Sequence, residues 1–168
     1  MLHTTVLDSS HKHKRALFSC EEQSLTDYLR KQASQDVTRK VALCFVHLDA
    51  SGTIKGYYTL SAGSIDRALL PEELKRKMPY KNLPVTLLGR LARDLQFKGK
   101  GIGELLLADA LKRAYQASSE IASFAVVTDP INDKAKMFYE SFGFIPLDSG
   151  RMFITMDTVK ASLVDKTD

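Results

Sequence analysis

The apolar residues of this chain recur at a few distinct spacings. Gly103, Leu106, Leu107, Ala110, Leu111 and Ala114 fall at i, i+3, i+4, i+7, i+8 and i+11. That is the buried stripe of an amphipathic helix, and Glu104, Lys112, Arg113 and Gln116 lie off it. Leu25, Tyr28 and Leu29 share a second helical face, with Ser24 expected as N-cap and Asp27 three residues later. Ala135, Phe138, Tyr139 and Phe142 form a third face. Asn132 or Asp133 caps its start, and Gly143 supplies a left-handed stop.

Between these helices lie shorter apolar runs. Residues 41–48 read as one strand, "DASG" as a turn, and 53–64 as a second strand, giving a hairpin. Residues 85–92, 123–128 and 151–156 read as further strands. A polar insertion over 65–84 contains Pro71, Pro79 and Pro84, and Pro71 opens a short helix within it. The order predicts an α/β fold: a single domain whose mixed central sheet is flanked by helices. Its core is expected over about residues 16–157, with 158–168 as a tail.

Composition narrows the class. A chain of 168 residues suits one domain with a well-buried core. No run approaches the roughly 18 apolar residues of a membrane span, and the first 18 residues lack the apolar core of a secretion signal. Cys20 and Cys44 are far apart and lack metal spacing, so they read as reduced residues of a cytoplasmic protein. His3, His11, His13 and His47 show no zinc spacing, and no metal is expected. The net charge of +4 permits a polyanionic partner without requiring one. Basic residues cluster at 11–15, read as a flexible start, and at 75–81, read as a solvated face or a contact surface.

The stretch "KGKGIGELLL" (98–107) places three glycines at alternate positions before a leucine-rich helix. A helix start offers unpaired N–H groups and positive dipole, and glycines let an anion approach them. Tight strand–helix packing is the alternative. The stretch is not a P-loop, because G-x-x-x-x-G-K-[ST] is absent. A dinucleotide fingerprint is weakened by Leu106, which stands where a third glycine belongs, although Asp129 ends the next strand. An acyl-CoA signature, [QR]-x-x-G-x-[GA], fits at Gly101 and Gly103 and departs at Lys98, which keeps the charge of an arginine but not its planar fork.

Tyr139 on its apolar helical face breaks the tie. Taken together, "LGRLARDLQFKGKGIGELLL" and "NDKAKMFYESFGF" resemble the pyrophosphate motif and final helix of the GNAT superfamily of acetyl-CoA-dependent N-acetyltransferases. The segments 18–33, 56–65, 83–94 and 152–159 resemble more narrowly the GNAT toxins of type II toxin–antitoxin operons. In that group the enzyme acetylates the α-amino group of aminoacyl-tRNA and stops translation, and a ribbon–helix–helix antitoxin neutralises it.

The resemblance implies roles. The backbone of Leu91, Ala92 and Arg93 would hold the pantetheine arm of acetyl-CoA. The N–H groups of Lys98, Gly99, Lys100, Gly101, Ile102 and Gly103 would cradle its pyrophosphate, and Asn132 would touch the pantetheine. Tyr139 would protonate the departing thiolate, since a phenol of pKa about 10 is protonated at neutral pH. No general base stands out: Glu104 reads as a first-turn acid and Asp94 as a loop cap. Position 93 is often apolar in the toxin group, which leaves the side chain of Arg93 without a role. Lys75, Arg76, Lys77 and Arg90, with Arg93 and Lys81, are the candidates for tRNA contact. The toxin group is often dimeric, so a homodimer is also compatible. The alternative is a GNAT enzyme acting on a small amine or a protein amine.

Overall fold

The computed structural model describes residues 3–165. Seven strands form one sheet: β1 (Thr4–Val6), β2 (Leu43–Leu48), β3 (Ile54–Asp66), β4 (Asn82–Arg93), β5 (Ala125–Thr128), β6 (Ile145–Pro146) and β7 (Met152–Thr155). Their order is β1-β2-β3-β4-β5-β7-β6. β4 and β5 are parallel, whereas β1–β2, β2–β3, β5–β7 and β6–β7 are antiparallel, so the sheet is mixed. The helices are α1 (Lys12–Leu17), α2 (Gln23–Asp27), α3 (Ala33–Thr38), α4 (Glu72–Lys75), α5 (Ile102–Ala117), α6 (Asp133–Glu140) and α7 (Met156–Val164). The chain divides into two compact units. One runs up to Ser61 and includes Gly89–Ala110; the other comprises Ala62–Leu88 and the chain from Leu111 onward.

In the first unit the β2–β3 hairpin forms as its apolar pattern requires. Asp49 closes its turn by accepting from the amides of Ser51 and Thr53, both at 2.9 Å, and Gly52 takes the left-handed φ of 85°. Leu7, Phe18, Leu29, Cys44, Val46 and Tyr57 are buried together in this unit's core. The apolar stripe of α5 is buried as its spacing predicts, with Leu106 and Leu107 fully enclosed. Each such leucine contributes about 1.5–3 kcal/mol by leaving water.

Three local features depart from the sequence reading. The second helix starts two residues early: Glu22, not Ser24, is the N-cap of α2. The Thr26 hydroxyl accepts from Cys20 N at 2.9 Å, and Leu25 and Thr26 already donate to Glu22 O, so the chain is helical before Ser24 can cap it. Between α2 and α3 the helix widens into a π turn at Tyr28–Gln32. The basic start is not flexible coil either. Asp8 caps a one-turn 3-10 helix, Ser9–His11, and His11 Nδ1 accepts from Asp8 N at 3.0 Å. This reciprocal box buries His11 and leads directly into α1.

In the second unit, Ile65, Leu70, Leu83, Val85, Ala125, Val127, Leu147 and Phe153 form the core, and Leu74 and Met78 of the insertion pack against it. Thr155 caps α7 through Thr158 N at 3.3 Å, so residues 158–164 of the segment read as a tail are helical, with Val159 buried, and 166–168 lie outside the described residues.

Candidate active site

The first unit holds the glycine turn. β5 stops at Thr128, opposite Leu88, and β4 runs on from Gly89 to Arg93. A strand that outruns its parallel neighbour leaves peptide groups available to something other than a ladder. Leu91, Ala92 and Arg93 lie in this extension. Asp94 follows, buried, and ties down what comes next. Its Oδ1 accepts from Gln96 N at 2.9 Å and its Oδ2 from Ser19 N at 3.0 Å. It is the loop cap expected of it.

The turn itself is open. Gly99 and Gly101 take φ of 77° and 73°, the left-handed region that only glycine enters freely. A Cβ at Gly99 would meet nothing within 4 Å, and one at Gly101 only Glu104 Oε2 at 3.9 Å. These glycines therefore serve backbone conformation rather than tight packing. Gly103 differs: it lies in the first turn of α5 and Ile102, beside it, is buried. The motif thus works as a left-handed pair at 99 and 101, followed by a helix start whose N–H groups emerge at 101–104. Lys98 and Lys100 are exposed on either side of Gly99. The Lys100 ammonium stands 5.5 Å from the centroid of Phe97, and Lys55 stands 5.4 Å from the same ring. Lys98 pairs with Glu21 Oε1 at 3.3 Å, as does Arg93 Nη2. Glu21, Lys55 and Phe97 were not singled out by sequence; nothing in their local spacing marks them.

Arg90 sits in the same unit and points its guanidinium at Tyr28, 3.6 Å from the ring centroid. Tyr28 Oη donates to Asp36 Oδ2 at 2.8 Å.

The second unit holds Tyr139. Asn132 Oδ1 accepts from Ala135 N at 2.8 Å and so caps α6, which assigns that side-chain oxygen a structural task. Gly143, at φ 96°, ends the helix. Tyr139 is buried at 7% exposure, between Phe138 and Phe144 at 5.4 and 5.3 Å between ring centroids. Burial pushes its phenol above the ordinary value, and a hydrogen bond with Thr128 works more weakly the other way. Thr128 Oγ1 donates to Leu88 O at 2.9 Å. A hydroxyl has one proton, so while that bond stands Thr128 accepts from the phenol. Once the phenol has given up its proton, Thr128 can turn and donate to the phenolate. The pair keeps Tyr139 a neutral, oriented phenol at pH 7.

The insertion in this unit carries the basic run. Lys75 pairs with Glu72 at 3.1 Å, whereas Arg76, Lys77 and Lys81 are exposed. Arg67 Nη1 donates to Met78 O at 2.8 Å and ties two parts of the insertion together. Among the described residues, no group of three or more His, Cys, Asp and Glu is placed to hold a metal ion. No helix among them is long and apolar enough to cross a membrane.

Residues 16–159 match the acetyltransferase (GNAT) domain family. The chain belongs to the GNAT acetyltransferases. Within this family it is 37% identical over 150 residues to a tRNA-acetylating toxin of Mycobacterium tuberculosis, covering 88% of this chain and 89% of that protein. It is similar to the solved structure of AtaT complexed with acetyl-methionyl-tRNAfMet, with a TM-score of 0.89 and 28% identity, covering 97% of this chain and 99% of that one. The structure of AtaTR bound with AcCoA gives a TM-score of 0.83 at 30% identity, over 96% and 98% of the two chains. The seven-strand mixed sheet of this GNAT chain agrees with the fold expected from its glycine turn and Tyr139 helix.

Proposed function

We propose that this protein is a toxin that transfers the acetyl group of acetyl-CoA to the α-amino group of aminoacyl-tRNA and thereby blocks translation. The observation that carries the acetyl-CoA reading is the turn at 98–103. Two left-handed glycines there leave open space in front of a helix start, flanked by exposed lysines. Such a cradle fits a pyrophosphate. The likeness to a tRNA-acetylating toxin and to AtaT with its acetylated tRNA supports the choice of acceptor.

Each residue then has a task. The peptide groups of Leu91, Ala92 and Arg93 hold the pantetheine arm and donate to the thioester oxygen. The backbone from Lys98 to Gly103 holds the phosphates. Asn132, already the cap of α6, contacts the pantetheine. Tyr139 gives its proton to the leaving sulfur and is reset from solvent. The α-amine of an aminoacyl ester is less basic than a lysine side chain, so water suffices to take its proton. Lys75, Arg76, Lys77 and Arg90 contribute positive potential for the tRNA backbone, the exposed Arg76 and Lys77 most directly. The catalytic core spans about residues 16–157, and the protein works in the cytoplasm, where its acceptor is found. A co-encoded antitoxin is its regulatory partner.

The test is acetyl transfer from labelled acetyl-CoA to purified aminoacyl-tRNA, with growth after induction as the cellular readout. The unaltered chain is expected to yield N-acetyl-aminoacyl-tRNA and arrest growth. Tyr139→Phe, folded by circular dichroism, is expected to do neither. Transfer to small amines or protein amines alone would replace the toxin reading with the broader acetyltransferase one.

A further inference from the structure

The acetyl-CoA reading leaves Arg93 without a side-chain role and Lys98 with an unexpected partner. Both meet one atom. Glu21 Oε1 lies 3.3 Å from Arg93 Nη2 and 3.3 Å from Lys98 Nζ. We propose that the Glu21 carboxylate is an internal anion that competes with the phosphates of acetyl-CoA for Lys98, held in place by Arg93. It thereby sets the affinity of the turn for its cosubstrate. This rests on the reading of residues 98–103 as the pyrophosphate site.

The backbone that carries Glu21 is fastened beside the turn. Its loop is fastened to the chain after β4 through Ser19, whose N–H donates to Asp94 Oδ2 at 3.0 Å and whose carbonyl accepts from Leu95 N at 2.9 Å. On its other side, Cys20 N donates to Thr26 Oγ1 at 2.9 Å. The two cations are unequal. Arg93 is 20% exposed and also donates from Nη1 to Asp94 O at 3.3 Å, so it is the fixed partner. Lys98 is 67% exposed and is the partner free to swing.

The pair is built to exchange. At 3.3 Å it is longer than the roughly 2.7–2.9 Å of a strong charge-assisted bond, and an exposed pair of this kind contributes little. A pyrophosphate brings more charge to Lys98 than one carboxylate does. The Glu21 carboxyl is held below its usual range by its hydrogen bonds from Arg93 and Lys98, which keeps it ionised and makes it a poor general base.

Calorimetric titration of acetyl-CoA into the full chain tests this. Glu21→Gln is expected to tighten Kd about three- to fivefold at low ionic strength, the scale of one exposed pair. The gain should shrink at high salt and vanish when Glu21→Gln is placed in a Lys98→Ala background. Weaker or unchanged binding by Glu21→Gln would overturn the proposal, and so would an equal gain without Lys98. If the unaltered chain binds no acetyl-CoA at all, the pyrophosphate reading falls and takes this inference with it.

Discussion

The guanidinium of Arg90 lies 3.6 Å from the ring centroid of Tyr28, across 62 residues of chain, and Tyr28 in turn donates to Asp36. A strand residue expected to meet tRNA is thus stacked on the helical layer of its own unit. The stack joins β4 to the π turn between α2 and α3. Arg90→Ala is expected to destabilise the fold by about 1–2 kcal/mol, the range of a partly desolvated cation–π contact. That corresponds to a fall in Tm of roughly 2–8 °C for a chain of this size. Thermal unfolding beside tRNA affinity checks it: an unchanged Tm with weakened tRNA binding would assign Arg90 to phosphate contact instead.

Thr128 is expected to act as a positioning residue for Tyr139. Its one proton goes to Leu88 O, and its oxygen orients the phenol. Thr128→Val keeps the shape and removes both bonds. We expect kcat to fall about tenfold, part of the 10²–10⁴ that a well-placed acid supplies. The KM for acetyl-CoA should stay within about twofold, because uniform binding is not touched, and Thr128→Ser should restore kcat. A rise in KM with kcat intact would mean that Thr128 shapes the binding surface rather than the acid.

Two glycines separate fold from site. A Cβ at Gly56 would meet Leu106 Cδ1 at 2.6 Å and Ala92 O at 2.8 Å. The leucine methyl can yield but the carbonyl cannot, so Gly56→Ala should cost about 1–3 kcal/mol by overpacking. Gly101→Ala meets open space and suffers only from its φ of 73°, a strain of about 1–2 kcal/mol that the exposed turn can relieve by reshaping. Gly56→Ala should therefore lower Tm more, and Gly101→Ala should raise the KM for acetyl-CoA more. The reverse ranking, from melting curves and acetyl-CoA saturation curves, would show that the turn is a packing device.

What was legible in the sequence follows the range of each interaction. The stripe from Leu106 to Ala114, the β2–β3 hairpin and the burial of Tyr139 are set by near neighbours and emerge from periodicity alone. The glycine turn was legible as a motif, but which glycines are left-handed was not: Gly99 and Gly101 carry the positive φ, and Gly103 is helical. β1 and β6 escaped because three and two residues carry too little pattern. The helical start at 9–17 escaped because charge suggested solvation, while Asp8 and His11 capped each other. Contacts such as Glu21 with Lys98, or Arg90 with Tyr28, join residues far apart in sequence and leave no local trace.

Three buried phenols should make this fold sensitive to alkali. Tyr28, Tyr57 and Tyr139 all have their pKa raised, each with burial as the first cause. The sign follows from linkage. A phenol that is harder to ionise in the folded state favours folding fully below the unfolded pKa of about 10, and that contribution is lost as pH rises above it. Above that point each buried phenol keeps its proton only while the chain is folded. Stability then falls by about 1.4 kcal/mol per pH unit per phenol. Denaturant titrations between pH 8 and pH 11 are expected to show a plateau followed by a steep decline. Tyr28→Phe should flatten that decline, although it also removes the hydrogen bond to Asp36 and so lowers the plateau. Tyrosinate absorbance followed in parallel should appear with unfolding and not before it. Phenol ionisation that precedes loss of structure would show that water reaches these rings in the folded protein, and with it the ordinary acidity of tyrosine.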